Sequence, residues 1–165
     1  MKKKILLTLL IMLLTITVVT AKDNSPFGSQ YDESNLALRL AVGGGTFGFA
    51  LYPGVEYIFT QVDFADGTFP VDFGAMAEGY LGYSGTSFGI GAAVYGTGHF
   101  GLSNIDIEYV ENLDIFLGIG VGFLGEITFA GISGISYFID PGMSVFLEYN
   151  YLANSSGCIG VQLHL

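Results

Sequence analysis

Basic residues are scarce in this sequence. Five stand against 15 acidic residues, and only one of them follows residue 22; the five are Lys2, Lys3, Lys4, Lys22 and Arg39. Proteins bind the phosphates of nucleic acids through Lys and Arg, so this composition excludes a nucleic-acid-binding function. A soluble surface normally mixes charges of both signs and is rich in Lys. A membrane barrel, in contrast, needs few charges on the surface that faces lipid.

Cysteine is sparser still. Cys158 is the only one, which excludes an intramolecular disulfide and a zinc site built from cysteines. Acidic residues between the predicted strands offer the oxygen ligands that Ca²⁺ prefers, but their spacing matches no EF-hand loop. They are Asp63, Asp66, Asp106, Glu108 and Glu111. We therefore predict a solvated acidic surface, with no metal and no cofactor.

The N-terminus has the three parts of a secretory signal peptide. Residues 2–4 form a positive n-region, residues 5–19 an apolar h-region, and Val19-Thr20-Ala21 a cleavage site of small residues. The apolar part is shorter than the roughly 20 residues that a membrane-spanning helix needs. We therefore predict that residues 1–21 are a cleaved signal peptide and not a retained anchor. Residues 22–35 are polar and contain Pro26 and Gly28, which predicts a short linker.

Residues 113–123, LDIFLGIGVGF, show the pattern that recurs through the rest of the chain. Large apolar residues occupy every second position from Leu113 to Phe123, and most positions between them are glycine. A period of two predicts a β-strand. A half-buried strand of a soluble protein would carry polar side chains on its second face. The pattern therefore predicts an inside-out barrel, whose large apolar side chains face lipid.

Seven further segments alternate in the same way. The eight predicted strands cover residues 36–44, 47–61, 71–83, 88–102, 113–123, 127–139, 143–151 and 159–165. Such lengths suit strands that cross a bilayer at a tilt of about 45°. We therefore predict an all-β fold, an eight-stranded antiparallel, transmembrane, up-and-down β-barrel over residues 36–165. With both termini at one end, the long connections 63–70 and 103–112 also lie at that end, which inverts the usual pattern.

Residues 115–139 also have features of two other structures. The segment is almost wholly apolar and is interrupted by one charged residue, Glu126, as in a transmembrane helix, but its six glycines and the period of two in its first half favour strands. Residues 120–125 match the G-x-G-x-x-G pattern of dinucleotide-binding proteins. That motif needs a helix after the glycines, and here a strand is predicted. We interpret the glycines as positions that pack inside the barrel.

The C-terminal part resembles the last hairpins of the small eight-stranded outer-membrane barrels of the OmpA/OmpX type. Asp140-Pro141-Gly142 resembles the tight turn of that family, and Glu148-Tyr149-Asn150-Tyr151 resembles its E-Y-x-Y strand end. The family's C-terminal assembly signal is matched in spacing at Gly160, Leu163 and Leu165, although the final residue is Leu and not an aromatic. The resemblance implies a bacterial outer-membrane location, contact with outer-membrane lipids, and insertion by the barrel assembly machinery.

The predicted inward positions carry charged residues that we expect to form one polar network in the lumen: Arg39, Glu56, Asp72, Glu78, Asp114 and Glu148. The lumen of an eight-stranded barrel is just wide enough for side chains to fill it. We expect the arginine to pair with at least one glutamate of this set. One arginine cannot neutralise several carboxylates, so some must be protonated, hydrated or bound to a cation. Our first interpretation is a structural polar core, and a proton or cation pathway is the alternative.

Three functional hypotheses follow. The first is a non-enzymatic outer-membrane protein with a structural or envelope-maintenance role. The second is a conduit for small hydrophobic molecules resembling the OmpW type, for which the inward Met76, Phe116 and Phe146 are the only indication. The third is a secreted, soluble β-sandwich. An enzyme is not predicted, because a lipid-modifying barrel needs Ser, His and Asp near the outer leaflet, and His99 and His164 fall at the opposite end.

Overall fold

The structure, a computed structural model, describes residues 28–31, 36–45, 48–64, 69–83, 85–105, 107–152 and 156–165. Within them, eight antiparallel strands follow one another in chain order around a closed barrel. The strands are β1 (Leu36–Gly45), β2 (Gly48–Phe64), β3 (Phe69–Tyr83), β4 (Phe88–Gly101), β5 (Leu113–Phe123), β6 (Ile127–Asp140), β7 (Met143–Asn150) and β8 (Ser156–His164). Pairing of β1 with β8 closes the sheet. The predicted eight-stranded, all-β barrel is confirmed.

Two of the alternatives are wrong. The β-sandwich is excluded because one sheet closes on itself and no second sheet packs against it in the described part of the chain. The helical interpretation of residues 115–139 is excluded because they belong to β5, β6 and the turn between them. Among the residues that the structure describes, no helix is long and apolar enough to cross a bilayer. The predicted bounds of β5 coincide with the observed ones, whereas β8 begins at Ser156 and not at Ile159.

Side chains alternate between the two faces of the barrel wall, as a period of two requires. On β5, Ile119 is 70% exposed, whereas Phe116 is 1% exposed. No described strand carries a charged side chain on its outward face, apart from Asp63 and Asp140 at strand ends. The outward face of the wall is therefore apolar, and the buried charged side chains point into the lumen, which is the inverse of a soluble barrel.

Aromatic side chains mark the two ends of this apolar wall. We call the end that holds the start of β1 and the end of β8 the proximal rim, and the opposite end the distal rim. The exposed aromatic residues near the distal rim are Phe49, Tyr83, Phe88, Phe123, Tyr149 and Tyr151, and those toward the proximal rim include Tyr57, Phe59 and Phe64. Two aromatic bands around an aliphatic middle are typical of barrels that span a bilayer.

The connections differ between the two rims. At the distal rim, Gly85 and Gly125 adopt positive φ values of 79° and 83°, which lets the chain reverse within a few residues. At the proximal rim, the longer β4–β5 loop is tied at its base, where the Leu102 amide donates to the Leu113 carbonyl at 2.9 Å. A miscounted strand would have placed the loops at the wrong ends of the barrel. The structure has the eight predicted strands, so the short distal connections are a real feature of this barrel.

Inward glycines make room for the largest side chains of the lumen. A Cβ atom at Gly134 would lie 2.4 Å from Cζ of Phe116, and one at Gly160 would lie 2.3 Å from Cζ of Phe146. Real Cβ atoms do not approach other atoms so closely, so a residue without a side chain is required at both positions. The glycine-rich inward face therefore reflects a lumen that is filled by aromatic rings.

A short segment ahead of β1 lies in the proximal mouth of the barrel. We call residues 28–31 the strap. Gly28 forms a parallel bridge with Leu102, and Tyr31 is 7% exposed. The strap belongs to the stretch that the sequence predicts as a linker. Residues 1–27 lie outside the described residues, and the predicted signal peptide lies among them.

Candidate functional site

The structure places all six residues of the predicted polar network inside the barrel. None of them is more than 5% exposed; they are Arg39, Glu56, Asp72, Glu78, Asp114 and Glu148. They come from five strands, since Asp72 and Glu78 both lie on β3, at different depths in the lumen. The contacts divide them into a central cluster around Arg39, a proximal cluster around His99 and a distal pair around Asn150.

Arg39 organises the centre of the lumen. Its Nη2 lies 2.8 Å from Glu148 Oε2, and its Nη1 lies 3.4 Å from Glu56 Oε2. The guanidinium carbon is also 5.0 Å from the ring centroid of Phe116 and 4.4 Å from that of Phe146. A buried cation thus has two carboxylates and two ring faces, which together offset the loss of water.

His99 organises the proximal half of the network. Its Nε2 lies 3.0 Å from Glu56 Oε1, and its Nδ1 lies 2.8 Å from Asp114 Oδ2. Only the imidazolium form carries an N–H on both ring nitrogens, so this geometry suits a positively charged ring between two carboxylates. The predicted network did not include His99. The alternation along β4 could have indicated it, because it places His99 on the same inward face as Gly89 and Tyr95.

Asn150 joins two carboxylates in the distal half. Its Nδ2 donates to Oε1 of Glu148 at 3.3 Å and also to Oε1 of Glu78. Glu78 has no ion pair with any described residue, so the amide of Asn150 is its principal polar contact. Glu78 and Asp72 are therefore the two carboxylates of the set that have no ion pair with a described residue.

The strap completes the network at the proximal rim. Ser29 Oγ donates to Asp72 Oδ2 at 2.7 Å. The Tyr31 hydroxyl lies 3.1 Å from His99 Nδ1 and donates to Asp114 Oδ2 at 3.4 Å. Burial raises the pKa of Tyr31, as do the nearby carboxylates of Asp114 and Glu56, so the hydroxyl stays protonated and can donate. The sequence contains no periodic signal that predicts these contacts.

These contacts form one hydrogen-bonded chain along the lumen. From the proximal to the distal side it runs through Tyr31, His99, Glu56, Arg39, Glu148, Asn150 and Glu78. An arginine does not lose its proton in proteins, so a proton cannot be relayed through Arg39. The arrangement is therefore better suited to holding the strands together than to carrying protons.

A serine and a histidine also meet inside the barrel. Ser144 Oγ lies 3.2 Å from His164 Nε2. Hydrolases need an accessible serine and a carboxylate that orients the second nitrogen of the histidine. Ser144 is 0% exposed, and His164 Nδ1 has no hydrogen-bond partner among the described residues. The pair therefore lacks the geometry of a catalytic triad.

The residues that suggested a hydrophobic conduit are part of the packed core. Met76, Phe116 and Phe146 are 2%, 1% and 3% exposed, and all three contact Arg39. An apolar depression of about 690 Å³ lies instead on the barrel wall, where Pro53, Ala77, Gly79 and Ala92 contribute to its lining.

The three residues of the predicted assembly signal do not share one face. Two lie on opposite faces of β8, and the third follows the end of that strand. Gly160 faces the lumen, where it packs against the ring of Phe146. Leu163 is 46% exposed and Leu165 is 71% exposed. The two leucines therefore extend the outward apolar face to the last residue.

Comparisons with solved structures bear on the fold. A structure reported as "De novo design of transmembrane beta-barrels" matches with a TM-score of 0.58 and 16% identity, and covers 83% of this chain and 100% of its own. The protein has the fold of a transmembrane β-barrel. Neisserial surface protein A (NspA) matches with a TM-score of 0.44 and 15% identity, and covers 78% of this chain and 94% of its own. No family model and no curated protein matches the sequence.

Proposed function

We propose that the protein is a non-enzymatic β-barrel of the bacterial outer membrane with a structural or envelope-maintenance role. The observation that carries the proposal is the distribution of charge. The described strands direct their charged side chains into the lumen and keep the outward face between the aromatic bands free of charge. A charged side chain in hydrocarbon is costly, so such a wall is suited to lipid and unsuited to water.

The route to the outer membrane rests on both ends of the sequence. The predicted signal peptide over residues 1–21 would direct the chain across the inner membrane. Gly160, Leu163 and Leu165 would then serve as the signal for the barrel assembly machinery, and outer-membrane lipids would cover the wall. The resemblance to the OmpA/OmpX type supports this route.

The filled lumen supports a structural role over transport. The Arg39 side chain lies between the rings of Phe116 and Phe146 at the centre, and its two carboxylate partners occupy the remaining space around it. A solute would have to displace this cluster to pass. Among the described residues, no contact favours the conduit for hydrophobic molecules.

The test combines location, folding and conductance. We expect the protein in the outer-membrane fraction, with a band that shifts on a gel after boiling, as closed barrels do. In planar bilayers the wild type should not conduct, whereas a Phe116→Ala, Phe146→Ala double variant, which removes both rings beside Arg39, serves as the control with a widened lumen. Recovery in the soluble periplasmic fraction would contradict the proposed location. Steady wild-type conductance would contradict the structural role.

A further inference from the structure

The strap begins on the side of the proximal mouth that lies opposite β1. The chain enters β1 at Leu36, yet the Gly28 amide donates to the Gly101 carbonyl at the end of β4 at 2.9 Å. In a closed barrel of eight strands in chain order, β4 and β5 lie across the lumen from β1. The Ser103 hydroxyl also donates to the Ser29 carbonyl at 3.2 Å, which ties the strap to the β4–β5 loop.

Tyr31 fills the opening beneath the strap. Its ring packs edge-on against His99, Phe138 and His164, with centroid distances of 4.9, 5.4 and 5.6 Å. Its hydroxyl contacts His99 and Asp114, as described above. Tyr31 therefore covers His99 and Asp114 on the proximal side.

Three carboxylates lie behind Tyr31, next to the apolar Ile58 and Phe138, and this region ends in the middle of the barrel. Asp72, Asp114 and Glu56 surround His99, and each is at most 3% exposed. Below them, Arg39 and its two aromatic neighbours occupy the centre. Without the strap, this region would be an acidic vestibule that is open on the proximal side and closed at its floor.

The strap is attached more weakly than the strands. It has one isolated bridge and a few hydrogen bonds to loops and side chains, whereas each strand has continuous ladders on both sides. The strap can therefore leave without breaking a ladder of the barrel. We infer that residues 28–31 form a detachable lid, latched by Tyr31, over an acidic vestibule in the proximal half of the lumen.

A substitution at Gly101, in the barrel wall, can displace the lid without changing the strap itself. A Cβ at this inward position would lie 2.1 Å from the Gly28 carbonyl oxygen and 3.0 Å from Gln30 Cγ, so Gly101→Ala should expel the strap. Gly96→Ala on the same strand is the matched control, because nothing lies within 4 Å of its Cβ. Tyr31→Ala is a second lid variant, which removes the latch and leaves the wall unchanged.

The readout is the reactivity of a thiol inside the vestibule. Ser136 is 1% exposed, is paired with Asp114 across β5 and β6, and makes no hydrogen bond through its hydroxyl to a described residue. We place the reporter there as Ser136→Cys, in a Cys158→Ser background that removes the native thiol. Folded barrels in lipid vesicles, verified by their gel shift on boiling, are treated with thiol reagents of similar size that carry either a positive or a negative charge.

We expect Gly101→Ala and Tyr31→Ala to raise the labelling rate by about tenfold or more over wild type and over Gly96→Ala, as release of a local contact does. The cationic reagent should react faster than the anionic one, since the vestibule walls are acidic. Equal rates in wild type and both lid variants would overturn the lid. A faster anionic reagent would overturn the acidic vestibule. If neither lid variant folds, the strap is a required part of the barrel and the inference is wrong.

Discussion

Arg39 Nη2 and Glu148 Oε2 lie 2.8 Å apart, although the two residues are far apart in the sequence of the barrel. Arg39 is on β1 and Glu148 on β7, so their ion pair reaches across the β8 strand that separates them in the sheet. Glu56 on β2 contacts the same guanidinium from the other side. A single inward arginine thus links the first two strands to the seventh, independently of the ladders.

Removal of this arginine should destabilise the barrel strongly. Arg39→Ala leaves Glu148 buried without its cation and leaves Glu56 with His99 alone. Removing one partner of a buried ion pair typically costs about 3–5 kcal/mol. We expect a clear fall in the urea midpoint of unfolding in detergent. Arg39→Met is the control, because it keeps much of the volume between the two phenyl rings and should be less harmful. A midpoint for Arg39→Ala that equals that of wild type would contradict the role of the pair.

His99 should show the same dependence on its partners. His99→Leu leaves Glu56 and Asp114 facing an apolar side chain, so we expect a marked loss of unfolding free energy. Glu56 keeps its contact with Arg39, so Asp114 is the carboxylate left without a cation, and combining the change with Asp114→Leu removes it. The double variant should therefore lose less than the sum of the two single variants, which a double-mutant cycle measures. Strict additivity would show that the two side chains are not coupled.

A cation on the outward face should be harmful in proportion to its depth. Ile119 is 70% exposed near the middle of β5, so Ile119→Arg places a charge close to the centre of the bilayer. The expected cost is roughly 2–4 kcal/mol, measured by refolding into lipid vesicles. Ile119→Val is the matched control and should cost far less. Similar refolding of Ile119→Arg and wild type would mean that this face does not contact hydrocarbon.

Gly118 and Ile132 should behave as a complementary pair. They are register partners on β5 and β6, and a Cβ at Gly118 would lie 2.7 Å from Ile132 Cγ1. Gly118→Ala should therefore overpack the lumen by about 1–3 kcal/mol. Ile132→Ala removes the obstructing atoms, so the double variant should recover part of the stability that Gly118→Ala loses. Absence of any recovery would show that the strain arises elsewhere.

The alternation of side chains was sufficient to predict the wall of the barrel. Leu38 and Leu40 face outward, at 48% and 49% exposed, so the intervening Arg39 had to face inward. The same reasoning predicted β5 to the residue. These features depend only on local periodicity, which a strand imposes on every sequence that forms it.

Contacts between distant strands could not be predicted in the same way. The strap has no periodicity, so nothing in its sequence indicates that Tyr31 meets His99, 68 residues away. Gly120 is another example. Alternation alone suggests that Gly120→Ser is tolerated better than a change at Ile119, yet a Cβ at Gly120 would lie 1.8 Å from the Val94 carbonyl oxygen. The close approach of β4 and β5 at that point depends on the twist of the whole sheet.

Because β1 pairs with β8, the barrel can close only after both of these strands have been synthesised. Leu38 pairs with Leu163, so the first strand to leave the ribosome finds its second neighbour only when the last one has been made. Until then the chain is an open sheet with two unsatisfied edges, which invites pairing with other chains. Closure must therefore wait until β8 has been made, and the unfinished chain exposes both edges until then. A protein shortened before Ser156 would lack its closing strand and would be expected to aggregate or be degraded.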